Sequence, residues 1–398
     1  MELRTIKNLS LRNKTVLLRV NFDVPIKNSG VSDDTRILAH LPTINFLLKQ
    51  GAKVILISHL GRPSEVNSMR LKIQRYGLRP VFKYLKKSIK DLEFIESLEW
   101  PIIKEEVKNK KIVLLENLRF YPGEKDNNPN FTKFLASLAD IYINDAFAVA
   151  HRNHASVSAI TQYLPSYAGL LLEKEIEKLS EVLNKSKKPF IAVMGGAKIS
   201  SKLPVLKNLS SKVDKILVGG ALANDLLKTK GYNIGKSMVE KKLTKFKLEI
   251  EKKIVLPVDV VTSSKLKVQN SKLQFKIQNL KVEELNKLKN RNFKILDIGE
   301  ETVELFADYI KNAKMIIWNG PMGLFEERPF DQGTKKIAEM IVKNKKAKII
   351  IGGGDTIAVH KIKNKKQKIK NNAFISTGGG AMLEFLSGKK LPGIKGLL

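Results

Sequence analysis

The sequence predicts an α/β protein made of two doubly wound, Rossmann-like parallel-sheet domains joined by a hinge helix. Three observations carry that expectation. The chain has 398 residues, more than one ordinary core accommodates. Its apolar runs repeatedly end in polar or glycine turns, and segments of helical spacing separate them, which is the βαβα order of a parallel sheet. The expected division is residues 1–168, residues 169–377, and a C-terminal segment 378–398 that packs back on the first domain.

In the first half, Val16 to Val20 runs into Asn21, Val54 to Ser58 into His59, Ile112 to Leu115 into Glu116, and Ile141 to Ile143 into Asn144. Each reads as a buried strand. Leu38 to Gln50, stopped by Gly51, reads as a helix. Leu170 to Leu183 has apolar positions at helical spacing, with Glu173, Lys174, Glu175, Glu177 and Lys178 on the other face, and is expected to connect the domains beside a hinge. The second half repeats the scheme: Phe190 to Met194 before Gly195 and Gly196, Ile216 to Val218 before Gly219 and Gly220, Met315 to Trp318 before Asn319 and Gly320. The run Ser264 to Lys294 is polar, lysine-rich and partly alternating, the pattern of a surface hairpin without a functional motif.

Near the end, Ile349 to Ile351 breaks into Gly352, Gly353, Gly354, Asp355 and Thr356, and Phe374 to Gly380 repeats the device with Gly378, Gly379 and Gly380. A strand turning through glycines into a helix aims bare N–H groups and a helix dipole at one spot, so two phosphate cradles and a phosphorylated ligand are expected. No P-loop or G-x-G-x-x-G pattern accompanies them.

Composition narrows the class. The absence of cysteine excludes disulfides, thiolate zinc sites and a cysteine nucleophile. Charges at Glu2, Arg4, Lys7, Arg12 and Lys14 argue against a signal peptide, and no run reaches membrane-spanning length, so a cytoplasmic enzyme is expected. Lysine and arginine number 72 against 39 acidic residues, a net charge of +33. The lysines are spread along the chain, as in Lys241 to Lys253, so they read as solvated surface with weak, salt-sensitive attraction for polyanions and no specific nucleic-acid partner.

Ligands collect at the carboxyl ends of strands in open α/β sheets. There the first half places Asn21, Asp23, His59, Arg62, Arg119 and Arg152, with Arg36 opening a helix. Guanidinium forks grip carboxylate and phosphate at two points, so converging arginines suit a small, highly anionic substrate. In the second half Lys198 and Lys202 lie four apart in the first turn of a helix, where cations oppose the dipole and repel each other, a broken rule that points to function. Asp355 either caps its helix or serves a magnesium ion. His151 and His154 have a spacing metals use, yet no cysteine or acidic cluster joins them.

With those residues placed, the chain resembles the phosphoglycerate kinase family almost end to end. The resemblance rests on Arg19 to Pro25 (RVNFDVP), Ser58 to Pro63 (SHLGRP), Glu116 to Tyr121 (ENLRFY), Asn144 to Ser156 (NDAFAVAHRNHAS), Gly195 to Leu203 (GGAKISSKL), Trp318 to Glu326 (WNGPMGLFE), Gly352 to Thr356 (GGGDT) and Ser376 to Ala381 (STGGGA). It implies transfer of a phosphoryl group between 1,3-bisphosphoglycerate and ADP, giving 3-phosphoglycerate and ATP, with Mg2+ bound alongside the nucleotide. It implies that Asn21, Asp23, Arg36, His59, Arg62, Arg119 and Arg152 hold the phosphoglycerate. Lys198, Lys202, Glu326, Gly353, Gly354, Asp355 and Thr356 match nucleotide contacts, with Glu326 toward the ribose and Asp355 toward Mg2+. Arg36 and Lys198 match groups that stabilise the transferring phosphoryl, and a monomer that closes about a hinge is expected. Three departures stand out. Asn21 precedes Asp23 where the family usually has aspartate first and asparagine second, Ala148 and Val149 replace the usual glycine and threonine, and Ala221 stands where a third glycine is common.

Overall fold

The computed structural model describes residues 3–196, 199–240, 248–266, 274–288, 291–353 and 372–398. The chain divides into two compact units, Met1–Glu177 with Lys390–Leu398, and Lys178–Lys389.

The first unit is organised by six parallel strands in the order Leu92–Ile95, Ile112–Leu115, Lys53–Ile57, Thr15–Arg19, Ile141–Asn144, Ser166–Ala168. Successive side chains of a strand point to opposite faces. Val16, Leu18, Val54 and Leu56 accordingly enter one apolar cluster, and Leu17, Ile55, Ile57 and Val113 the other. Both faces are covered, which is why the strands read as unbroken apolar runs. Thr15–Arg19 has Lys53–Ile57 on one side and Ile141–Asn144 on the other. The chain runs from it to Lys53–Ile57, whereas Ile141–Asn144 on its other side is reached from Ile112–Leu115, so the sheet changes direction beside its carboxyl end.

The second unit repeats the plan with six parallel strands in the order Ile254–Val255, Lys215–Val218, Phe190–Met194, Met315–Asn319, Lys348–Gly352, Ala373–Ser376. Its switch point lies at the ends of Phe190–Met194 and Met315–Asn319. A separate antiparallel sheet pairs Asp259–Leu266 with both Gln274–Lys281 and Phe293–Ile298. The hairpin expected over Ser264 to Lys294 therefore begins earlier and has a third strand, because its buried start (Val260, 1% exposed) faces the core rather than solvent.

Helix Leu170–Asn184 crosses the division between the units, which falls at Glu177 and Lys178 rather than at the expected 168 and 169. Its first turns belong to the first unit: Leu170 packs on that core, and Glu173 meets Lys7 Nζ at 2.8 Å. Farther on, Glu181 pairs with Lys178 at 3.3 Å and Lys348 at 3.0 Å. The C-terminal return begins at Lys390, not at Gly378. Helix Gly380–Leu386 stays with the second unit, since Asn208 Nδ2 donates to Leu386 O at 2.7 Å. Lys390–Leu398 belongs to the first unit: Arg4 N donates to Leu397 O at 2.9 Å and Asn144 Nδ2 to Gly393 O at 3.0 Å.

Candidate active site

In the first unit the residues singled out at the strand ends come together as a cationic bay. Asp23 is its centre. The Asp23 Oδ1 accepts the Gly61 N–H at 2.9 Å, its carbonyl accepts from Arg36, and its Oδ2 lies 3.7 Å from His59 Nε2 and 4.0 Å from Arg36 Nη1. Arg36 sits in the first turn of helix Thr35–Lys49, with its side chain 42% exposed. Arg119 donates to Gly61 O, and its buried Nε has no hydrogen-bond partner. Arg152 is half-buried, and its guanidinium is lowered by burial while Asp23 raises it and Arg62 lowers it. Arg62 itself is 76% exposed and 4.0 Å from Glu65, the loosest member of the group. Asn21 is 4% exposed, and its Oδ1 accepts the Asp23 N–H at 3.4 Å.

His59 is buried, and its tautomer is set by a neighbour that the residue pattern did not single out. Burial, then the Arg19 charge, holds the imidazole well below its ordinary range, so it is neutral. Arg19 can only donate, and its Nη2 lies 3.0 Å from His59 Nδ1, so Nδ1 accepts and Nε2 carries the proton that faces Asp23. The 3.7 Å separation is thus a dipole contact rather than an ion pair. Arg19, 1% exposed, also donates through Nε to Ser156 Oγ at 2.9 Å. That hydroxyl donates to Glu124 Oε1 at 2.7 Å, and Glu124 Oε2 accepts the Ser156 N–H at 3.0 Å. A buried cation and a buried carboxylate are joined through one serine beneath the bay. His154, read earlier as half of a metal spacing, lies 3.7 Å from the same Glu124.

In the second unit three glycine turns interlock at the switch point. Gly195 N donates to Asn319 O at 3.0 Å and Gly196 N to Pro321 O at 2.9 Å. A Cβ on Gly195 would lie 2.0 Å from Pro321 O, so backbone must fill that place. The turns border a cavity of about 610 Å³ whose wall includes Gly196, Gly220, Met322, Gly323, Asp297 and Glu326. Asp297 comes from strand Phe293–Ile298, which lies mostly beyond a stretch that had offered no usable motif. Its Oδ2 accepts the Gly333 N–H at 2.8 Å and its Oδ1 the Ile298 N–H at 2.9 Å.

Lys202 is buried on helix Ile199–Leu209, and Gly353 adopts φ +88° at the end of Lys348–Gly352. Gly378 N donates to Ser376 Oγ at 3.0 Å, and Gly379 has φ +50° before helix Gly380–Leu386. Lys198, Gly354, Asp355 and Thr356 lie outside the described residues.

Burial raises the Asp297 carboxyl from its ordinary 3.8 to about 7, with the two N–H bonds opposing and Asp331 adding. Between those values the folded chain holds a proton that the unfolded chain has released. The contribution of this group to stability therefore falls as pH rises through that window and levels off above about 7. Urea midpoints at pH about 5 and about 8 are expected to show that decline in the native chain and a clearly smaller one in Asp297→Asn.

Comparison with known proteins gives a consistent result. The family model described as "Phosphoglycerate kinase" matches residues 6–389. A phosphoglycerate kinase of Thermosipho africanus is 45% identical over 99% of this chain and 97% of its own, and one of Dictyoglomus turgidum is 43% identical over 98% and 96%. The solved phosphoglycerate kinase structure from Coxiella burnetii is similar at 38% identity and a TM-score of 0.80, covering 100% of this chain and 99% of its own. That from Pyrococcus horikoshii is similar at 30% identity and the same TM-score, covering 99% and 98%.

Proposed function

The chain belongs to the phosphoglycerate kinase family, and from that premise we propose how its two units carry out the family's reaction. The activity is reversible phosphoryl transfer between 1,3-bisphosphoglycerate and ADP, giving 3-phosphoglycerate and ATP, the glycolytic step of this family.

The bay of the first unit takes the phosphoglycerate. The observation that carries this assignment is the convergence of Asp23, Arg36, His59 and Arg119 around Gly61 at the carboxyl ends of parallel strands. Arg36, Arg62, Arg119 and Arg152 supply the cations, while Asn21, Asp23 and neutral His59 supply oriented polar contacts. The cavity of the second unit takes the nucleoside, with Glu326 toward the ribose. Gly353, Gly354, Thr356 and Lys202 hold the phosphates, and Gly378, Gly379 and Gly380 form the neighbouring cradle.

In the ATP-forming direction, an oxygen of the ADP β-phosphate attacks the acyl phosphorus, and the bond to the C1 carboxyl oxygen breaks. The attacking phosphate oxygen is already ionised and the carboxylate leaves as an anion, so neither a general base nor a general acid is required. The protein's task is alignment and neutralisation of charge spreading over three equatorial oxygens. Arg36 and Lys198 complete that cage when the two units close, and closure excludes the water that would hydrolyse the acyl phosphate. Asp355 would offer the carboxylate for the Mg2+ that accompanies the nucleotide, and that ion would neutralise phosphate charge.

A working monomer in the cytoplasm, without a specific nucleic-acid or membrane partner, belongs to the same proposal. The dispersed lysines support the absence of a specific nucleic-acid partner.

The test is a coupled assay with 3-phosphoglycerate and MgATP, in which turnover is abolished by EDTA. Turnover indifferent to EDTA, or faster on another phosphorylated acid, contradicts the reading. The reversed motif gives a further expectation. Asp23 accepts the Gly61 N–H within reach of Arg36, whereas Asn21 is nearly buried. Exchanging the two by double substitution buries a carboxylate and puts a neutral amide at the centre of the bay, so kcat/KM for 3-phosphoglycerate is expected to fall roughly 100-fold. Unchanged kcat/KM would make the order irrelevant.

A further inference from the structure

His40 takes no part in the bay, yet it is 2% exposed on the inner face of helix Thr35–Lys49. A buried imidazole is costly unless its nitrogens are satisfied, and both are. Its Nε2 accepts the backbone N–H of Asn21 at 2.9 Å, so the proton sits on Nδ1, which donates to Asp145 Oδ2 at 2.7 Å. The second oxygen of Asp145, itself fully buried, accepts the Leu171 N–H at 2.9 Å and the Leu172 N–H at 3.5 Å. Those amides open helix Leu170–Asn184, by which the chain leaves the first unit. A Cβ on Gly169 would lie 2.2 Å from Asp145 Oδ1, so glycine alone lets the carboxylate reach the helix start.

We propose that His40 and Asp145 are positioning residues that form a relay from the phosphoglycerate bay to the first turn of the connecting helix. One end holds the backbone of a bay residue, the other holds two amides of the helix, and each link is a hydrogen bond inside the protein, where such bonds reinforce one another. Substrate that fixes Asn21 and Asp23 fixes the imidazole behind them, and through Asp145 it tightens the grip on Leu171 and Leu172. The coupling is reciprocal: a helix start pulled off Asp145 loosens the bay. The inference rests on assigning the bay to phosphoglycerate.

Amide hydrogen exchange in the full chain, with and without saturating 3-phosphoglycerate, tests it. In the native chain the Leu171 and Leu172 amides are expected to slow roughly tenfold on binding, and the Gly61 amide, held by Asp23, to slow as well. In His40→Leu the Gly61 response is expected to persist while the helix response shrinks to within about twofold. His40→Gln, which can accept from Asn21 and donate to Asp145, is expected to restore part of it. A full helix response in His40→Leu, or a Gly61 response without a helix response in the native chain, overturns the relay. No response at either place overturns the bay assignment and the relay with it. Nitrogen-15 shifts of His40 in the native chain give a check that needs no variant: an Nδ1–H tautomer is expected, and an Nε2–H tautomer or an imidazolium overturns the relay.

Discussion

Arg36→Ala is expected to lower kcat roughly 1,000-fold or more, about 4 kcal/mol of transition-state stabilisation, while KM for 3-phosphoglycerate changes far less. The asymmetry follows from how the side chain is held. Arg36 donates to the Asp23 backbone oxygen, which anchors the fork, yet its side chain remains 42% exposed and able to meet a group that arrives only during transfer. Ground-state binding is shared with His59, Arg119 and Arg152, so losing one cation weakens the bay modestly. Charge spreading over the equatorial oxygens has fewer partners, so the lost cation costs more there than in ground-state binding. Arg36→Lys keeps the charge without the planar fork and is expected to recover only part of the rate. A near-normal kcat in Arg36→Ala would remove the assignment.

Glu124→Gln is expected to destabilise the first unit by about 3 kcal/mol, because it leaves the Arg19 guanidinium buried without its counter-charge. Burial lowers Arg19 and Glu124 is the largest of the groups that raise it, so this carboxylate is the main electrostatic support of that cation. The carboxylate accepts both the Ser156 hydroxyl and the Ser156 N–H, and glutamine can accept only one of them, so the loss combines the missing charge with one lost or reversed hydrogen bond. Urea unfolding of the full chain is read from Trp100 after Trp318→Phe removes the second of the two tryptophans, which lies in the other unit. Replacing Arg19 with Met alongside Glu124→Gln is expected to recover much of the loss, as removal of both buried charges commonly does. Equal unfolding midpoints for the native chain and Glu124→Gln would mean that the network carries no energetic weight.

The sheets were legible because strands covered on both faces leave continuous apolar runs, and the bay was legible because strand ends are where α/β sheets expose polar residues. Arg19 was hidden by its position. It ends a buried strand, where a charged residue reads as the strand's stop, and only its pairing with Ser156 and Glu124, distant in sequence, reveals a support for His59. His40 was hidden on a helix face that reads as core, since its partners Asn21 and Asp145 lie in other segments. Asp297 was missed because the stretch before it reads as surface hairpin, while its carboxylate closes on Gly333 from a distant turn. The C-terminal boundary was misplaced for a related reason: the apolar residues of Gly380–Leu386 suit either unit, and Met382, packed beneath Gly352, decides it.

The central claim is that each unit holds one half of the reaction, phosphoglycerate in the first and nucleotide in the second. It is tested most directly by mapping amide chemical shifts of the full chain with one ligand at a time. With 3-phosphoglycerate alone, the expected changes fall at Asn21, Asp23, Gly61 and Arg119. With MgADP alone, they fall at Gly196, Gly220, Gly323 and Glu326. Phosphoglycerate shifts centred on the glycine-lined cavity, or nucleotide shifts centred on the arginine bay, would contradict the account.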